Sequence, residues 1–194
     1  MRILDLGCGA GGTNLALWGV AESDEVQGVD IDEGALVIAR QRFPNRTYLL
    51  GRGENLPFGD ASFERVVSSV AFYYMNVPKT LSEIHRVLVP EGRISLSLLP
   101  ASFTLVELRR AFPRVIPSVF RLYVLGNGLW FHCTGKTVRF VTNRTECFHT
   151  ERGMRIALRR AGFTDPRFSW REGVMSKMLI VEARNDLRAA LASA

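Results

Sequence analysis

Cysteine and histidine are scarce, with three of each in 194 residues. Cys8, Cys133 and Cys147 are odd in number and widely spaced, and no Cys-x-x-Cys occurs. That excludes a disulfide framework and a zinc site of the usual spacing. Buried free thiols in a reducing compartment fit better, so the chain is expected in the cytoplasm. No apolar run approaches the length that spans a bilayer. The opening Met1-Arg2-Ile3-Leu4-Asp5-Leu6-Gly7 lacks the charged, apolar, small-residue order of a secretory signal. No internal repeat and no separate linker interrupts the chain, which is long enough to bury one core. A single domain over 1–194 is expected.

Positive charge is in excess, and it is concentrated. The net +6 divides into −3 over residues 1–100 and +9 over 101–171, where thirteen Lys and Arg face four Asp and Glu. Such a patch suits an anionic substrate, RNA or a membrane surface, or is a solvated helix face.

Apolar periodicity divides the first hundred residues into alternating strands and helices. Strands are predicted at 2–6, 25–31, 47–50, 65–70 and 93–99, and helices at 13–20, 33–43 and 77–88. Pro44-Asn45 stops the second helix, and Pro90-Glu91-Gly92 is a turn. This alternation predicts an α/β fold with a parallel sheet covered on both faces. After Pro100 the pattern loosens. A helix is expected at 102–112, then an irregular or partly helical stretch carrying Pro113, Pro117, Gly126, Asn127 and Gly128. Thr150 is placed to cap a helix over 150–161, and two strands follow at 163–170 and 177–183. The alanine-rich last eleven residues are expected to fray. Segment 101–149 therefore reads as an insertion.

The first strand runs into Asp5-Leu6-Gly7-Cys8-Gly9-Ala10-Gly11-Gly12. Glycines allow a sharp turn and close approach of a ligand, and the following helix offers free N–H groups. Asp30 closes strand two, where a carboxylate can accept both ribose hydroxyls. Together these make a nucleoside-binding unit. Gly7-x-Gly9-x-x-Gly12 also satisfies the dinucleotide fingerprint, so a nicotinamide dehydrogenase is an alternative. Against it stands Asp5, two residues before the first glycine, where a carboxylate can reach a ligand ammonium. S-adenosylmethionine carries one there, whereas NAD puts pyrophosphate near the loop.

Ile3-Leu4-Asp5-Leu6-Gly7-Cys8-Gly9-Ala10-Gly11 resembles the first motif of class I S-adenosylmethionine-dependent methyltransferases, and Gly28-Val29-Asp30-Ile31-Asp32 the second. The run Glu54-Asn55-Leu56-Pro57-Phe58-Gly59-Asp60-Ala61-Ser62-Phe63 resembles the loop of the small-molecule branch, which includes quinone-biosynthesis enzymes. Glu83 to Gly92, with Arg86-Val87-Leu88 and Pro90, resembles that branch's lead into strand five. The likeness is close over 2–99. It implies a Rossmann-like methyltransferase fold, with a mostly parallel seven-stranded sheet and an antiparallel last strand. It also implies S-adenosyl-L-methionine as cofactor. Asp5, Gly7, Gly9 and Gly11 would hold the methionine end, Asp30 the ribose, and Ile31 the adenine face. Arg52, Gly53 and Glu54 would meet the adenine edge, and Val70 and Ala71 would line the channel to the methyl group.

Two departures stand out. The family has Asp where this chain has Arg52, which donates only; Glu54 or backbone groups would have to take its place. The family also carries helices before strand one, whereas Met1 falls on that strand, so a truncated form or a mis-assigned start is expected.

A sulfonium methyl is already activated, so transfer to oxygen, nitrogen or carbon needs positioning and exclusion of water. No catalytic residue is assigned. Tyr73, Tyr74, His132 and His149 are weak candidates for a pocket or base role, and His85 and Cys8 read as structural. No Asn-Pro-Pro-Tyr, Asp-Pro-Pro-Tyr or Pro-Cys follows strand four, which by the resemblance argues against DNA as substrate. No metal is expected. Phe120, Tyr123, Trp130, Phe131 and Phe140, among Arg114, Arg121, Lys136, Arg139 and Arg144, read either as a substrate cap or as core closure. As a cap they suit an apolar or aromatic acceptor bearing an acidic group. Arg121-Leu122-Tyr123-Val124-Leu125 could alternatively lie on a membrane surface. The leading expectation is a small-molecule methyltransferase. The alternatives are an RNA methyltransferase and a catalytically inactive methyltransferase-like partner protein.

Overall fold

The first strand, β1 (Arg2–Leu6), owes its place to a run of side chains with nowhere polar to face. Ile3, Leu4 and Leu6 are all buried, as a central strand covered on both sides requires. It pairs in parallel with β2 (Glu25–Asp30) on one side and β4 (Phe63–Ser69) on the other. Outside β2 lies β3 (Thr47–Leu50), and outside β4 lies β5 (Leu88–Leu98), both parallel to their neighbours. The last strand, β7 (Lys177–Asn185), inserts antiparallel between β5 and β6 (Phe163–Glu172). The order is β3-β2-β1-β4-β5-β7-β6. The computed structural model describes residues 1–13, 15–139, 145–172 and 177–186.

One face of the sheet packs Leu4, Val66, Ile94 and Leu96 against α2 (Val77–Val87) and α5 (Glu151–Arg160), through Leu81, Ile84, Met154 and Leu158. Asn76 caps α2 by accepting from the Lys79 N–H. Thr150 caps α5 by accepting from Gly153, with Glu151 in the first turn. On the other face Ile3, Val26, Val67 and Ile180 meet Leu15 and Trp18. A further helix, α1 (Glu33–Arg42), links β2 to β3 and is capped by Asp32.

Three expectations are corrected, the first being the turn at Pro90-Glu91-Gly92, which lies within β5 at an irregularity of its pairing with β4 rather than ahead of the strand. The helix expected over 13–20 is a single 3-10 turn, Leu15–Trp18, because Gly11 (φ 76) and Gly19 (φ 68) take left-handed backbone on either side of it. The stretch read as irregular holds a helix of 20 residues, α4 (Val115–Thr134), which follows α3 (Ala101–Ala111). Pro117 sits in its first turn, where a missing N–H costs no intrahelical bond. Gly128 is there for close packing: a Cβ would lie 2.2 Å from the Phe148 ring. The Asn127 amide is buried and bonds the backbone of Val138, Thr145 and Glu146. Gly135 (φ 65) ends the helix by donating to the Phe131 carbonyl. Phe140, Arg144 and the tail from 187 onward lie outside the described residues.

Candidate functional site

β1 sits where the strand order turns back, with β2 to one side and β4 to the other. In an open α/β sheet, ligands bind outside the carboxyl ends of the strands at such a point. Here the chain leaves β1 through Gly7 (φ 73), Gly9 (φ 51) and Gly11 (φ 76). The Gly7 and Cys8 N–H groups both donate to the Val29 carbonyl, at 2.7 and 3.2 Å, folding the turn back over β2. A Cβ on Gly7 would stand 2.2 Å from that of Ala71, so only glycine lets the turn and the end of β4 close together.

Asp30 is the hinge of the arrangement. Its carboxylate accepts from the Gly9 N–H at 2.7 Å and from the Asp32 N–H at 3.0 Å. Each oxygen keeps lone-pair capacity for a ligand. Asp5 lies beneath, buried, and accepts from the Thr13 hydroxyl at 3.0 Å. Burial pushes its carboxyl up to about 7, against the lowering effect of Thr13 and Arg46.

A cavity of about 240 Å³ opens above these groups. Gly7, Asp30, Ile31, Gly53 and Glu54, all named from sequence, line it together with Ala71 and Arg52. Leu6, Val29, Tyr74 and Met75 supply the rest of its apolar wall. Glu54 accepts from the Asn76 N–H at 2.9 Å, and its other oxygen is 3.6 Å from the Arg52 guanidinium. A carboxylate thus stands beside the position where the expected Asp is replaced by Arg52. Asp5, Gly9, Gly11 and Val70 do not line the cavity. Gly11 packs against Phe43, while Val70 takes φ 66 and packs toward Tyr73 and Leu99. That backbone value is unusual for a β-branched residue and marks the end of β4 as strained.

The loop carrying Gly53 and Glu54 is held by a network that sequence reading left unassigned. Arg86 bonds both Glu83 oxygens (3.0 and 2.7 Å), Asp60 (2.8 Å) and the carbonyls of Phe58 and Leu56. Glu83 in turn accepts from the Leu56 N–H. Bonding to Arg86 holds the Glu83 carboxyl below its ordinary range. The spacing of Glu83 and Arg86 on one helix turn was the available signal; their reach to residues 56–60 was not.

The weak catalytic candidates do not meet at the first cavity: only Tyr74 lines it, while His132 and His149 both border a second one. Tyr73 is buried beside Phe103, Leu99 and Val124, and its hydroxyl accepts from Arg121 at 3.3 Å; Tyr74, not Tyr73, lines the cavity. His149 is buried, which pushes its imidazole down to about 3, so it is not a base near neutral pH. His132 bonds the Thr150 hydroxyl at 3.0 Å. It borders a second cavity of about 630 Å³, at the ends of β5 and β6, with Ala101, Arg152, Arg155 and Trp170. Cys8 is buried against Leu36 and Tyr48, and burial pushes its thiol up to about 12. Among the described residues, no group of His, Cys, Asp or Glu is placed to hold a metal ion.

A family profile described as a methyltransferase domain matches residues 4–96. A demethylmenaquinone methyltransferase of Thermus thermophilus is 31% identical over 172 residues, 84% of this chain and 74% of that protein. Another demethylmenaquinone methyltransferase, of Symbiobacterium thermophilum, is 38% identical over 130 residues, 63% of this chain and 48% of that protein. A bifunctional biotin-biosynthesis protein of Cellvibrio japonicus is 39% identical over 116 residues, 59% of this chain and 22% of that protein. The chain thus spans half or less of several of the curated relatives it matches. A solved S-adenosylmethionine-dependent methyltransferase of Methanosarcina mazei shares the fold, with TM-score 0.66 and 21% identity over 96% of this chain and 92% of its own. With the glycine turn, the acid closing β2 and this sheet order, these relationships establish that the chain belongs to the class I S-adenosylmethionine-dependent methyltransferases.

Proposed function

We propose that this chain transfers the methyl group of S-adenosylmethionine to a small-molecule acceptor, at oxygen, nitrogen or carbon. The observation that carries this is the Asp30 carboxylate, fixed by two backbone N–H groups and turned toward a cavity bordered by Ile31 and Glu54. The residues fit the cofactor. Asp30 offers acceptors for a ribose diol, Ile31 and Met75 an apolar slot for a purine, and Glu54 an acceptor for its amino group. Buried Asp5, beneath the glycine turn, offers a counter-charge for an ammonium. When bound, the cofactor supplies a methyl group already activated on sulfonium. Gly7 and Ala71 then bring β1 and β4 close, and Tyr74 and Met75 shield the site from water. No side chain is assigned as base.

Segment 101–149 serves, on this reading, as the acceptor cap. The second cavity borders its ends, and Arg152, Arg155 and Trp170 there suit an aromatic or apolar acceptor with an acidic group. The three free thiols, Cys8, Cys133 and Cys147, suit a reducing cytoplasm.

Isothermal titration with S-adenosylmethionine and, separately, with NAD tests the cofactor reading. Binding of the first alone, lost in Asp30→Ala, is expected. Binding of neither would leave a methyltransferase-like partner protein, and binding of NAD would overturn the assignment.

A further inference from the structure

Helix α4 is apolar on two sides. Val124, Asn127, Gly128 and Phe131 face the protein and are buried. On the other side Val115, Val119, Leu122 and Leu129 stand exposed at three- and four-residue spacing, continued by Gly126 and Cys133 and flanked by Ile116 and Trp130. Spacing of this kind puts side chains on one stripe, here about 27 Å long. No charged side chain interrupts it. The stripe begins at the turn between α3 and α4, Arg109-Arg110-Ala111-Phe112-Pro113-Arg114-Val115-Ile116, where exposed apolar groups and cations alternate. Phe112 is 76% exposed, Val115 75% and Ile116 84%.

The charge around this surface is of one sign. Residues 101–139 hold six Lys and Arg against one acid, Glu107. Glu107 is committed to Arg110 at 3.2 Å and Arg121 at 3.0 Å. Arg109 and Arg114 are exposed and have no acidic partner among the described residues.

We propose that the α3–α4 turn and the outer stripe of α4 dock on an anionic lipid surface. Phe112, Val115, Ile116 and Val119 would enter the acyl boundary, with Arg109, Arg110 and Arg114 at the headgroups. An amphipathic helix with apolar bulk on one side and cations at its rim binds in this way, and a tryptophan such as Trp130 sits well at the interface. No described helix is long and apolar enough to cross a membrane, and the contact proposed is a peripheral one. A second copy suits the stripe less well, because pairing would bring two sets of uncompensated arginines together. RNA would engage the arginines but leave the apolar stripe in water. The inference rests on this surface alone and does not require the methyl-transfer reading.

The test is sedimentation of the full chain with phosphatidylcholine vesicles and with mixed phosphatidylcholine–phosphatidylglycerol vesicles, at low and high salt. Retention on the anionic vesicles, weakened by salt, is expected. The pair Ile116→Glu and Val119→Glu should abolish it. Replacing Arg109, Arg110 and Arg114 by Ala should weaken it about a hundredfold, without touching the apolar stripe. Absence of retention on either vesicle overturns the proposal, as does equal retention on both. Retention unchanged by the glutamate pair overturns it as well. A dimer that Ile116→Glu dissociates, with no vesicle retention, would assign the stripe to a second copy. Salt-sensitive binding of transfer RNA without vesicle retention would assign the cations to nucleic acid. Titration with S-adenosylmethionine separates the two proposals: a chain that sediments with vesicles but binds no cofactor keeps the surface and loses the methyl-transfer reading.

Discussion

Replacing Asp5 by Asn should stabilise the cofactor-free protein, and by an amount that grows with pH. Asp5 lies buried beneath the glycine turn, and burial pushes its carboxyl from 3.8 up to about 7. Between those values the folded state holds a proton that the unfolded state has lost. Stability from this group is therefore full in acid and falls as pH rises toward 7. A shift of this size corresponds to about 4 kcal/mol once both states are ionised. Roughly 1.7 kcal/mol of that is already lost at pH 5, so about 2.5 kcal/mol separates pH 5 from pH 8. Asn keeps an oxygen for the Thr13 hydroxyl and has no charge to bury. Urea unfolding of both proteins at pH 5, 6.5 and 8, without cofactor, should show the stability difference widening by about 2.5 kcal/mol across that range. A difference that stays flat with pH would refute the argument, because it would mean Asp5 titrates alike in both states. The same group predicts the pH dependence of binding. If Asp5 meets the cofactor ammonium, affinity should rise toward pH 7 in the native chain and be lower and pH-insensitive in Asp5→Asn.

The packing makes four further outcomes measurable. Gly7→Ala should cost about 3 kcal/mol in urea unfolding, from overpacking on Ala71 combined with left-handed backbone. Gly12→Ala, where a Cβ would meet nothing within 4 Å, should stay within about 0.5 kcal/mol of the native chain. Arg86→Ala should destabilise by about 2–3 kcal/mol, because Glu83 is left half-buried without its cation. It should also open residues 55–60 to proteolysis and weaken cofactor binding, and Lys at 86 should restore little, lacking the planar fork. Asn127→Leu should cost about 3 kcal/mol by stripping the backbone of Val138, Thr145 and Glu146 of its partner. The far-ultraviolet spectrum should still report α4, since the helix does not depend on that amide.

The first hundred residues announce themselves because their signals are local. A buried parallel strand must be a short apolar run, a turn that closes over β2 must be glycine, and an acid after Val29 stands at the end of its strand whatever lies around it. From these the alternating fold and the glycine turn could be read directly, whereas Ile31, Gly53 and Glu54 came from the resemblance, and the fold is what sets them with Gly7 and Asp30 around one cavity. Other features depend on residues far apart in the chain. Gly126, Asn127 and Gly128 look like helix breakers, yet α4 runs through them, with Phe148 filling the space at Gly128 and the Asn127 amide bonding the backbone of Val138, Thr145 and Glu146. Tyr73 and Tyr74 are adjacent and alike in sequence, and only the packing of Phe103 and Val124 decides which is core and which faces the cavity. In sequence Arg86 is only part of the run leading into strand five, and its partners are set when the loop at 56–60 folds onto it. Local order thus fixes the strand and helix alternation of residues 25–99 and the chemistry of the glycine turn, since both follow from neighbours in the chain. Which side chains share a cavity, which titrate abnormally and which apolar face stays uncovered are settled by the folded arrangement, because burial and proximity are set by segments that meet across the fold.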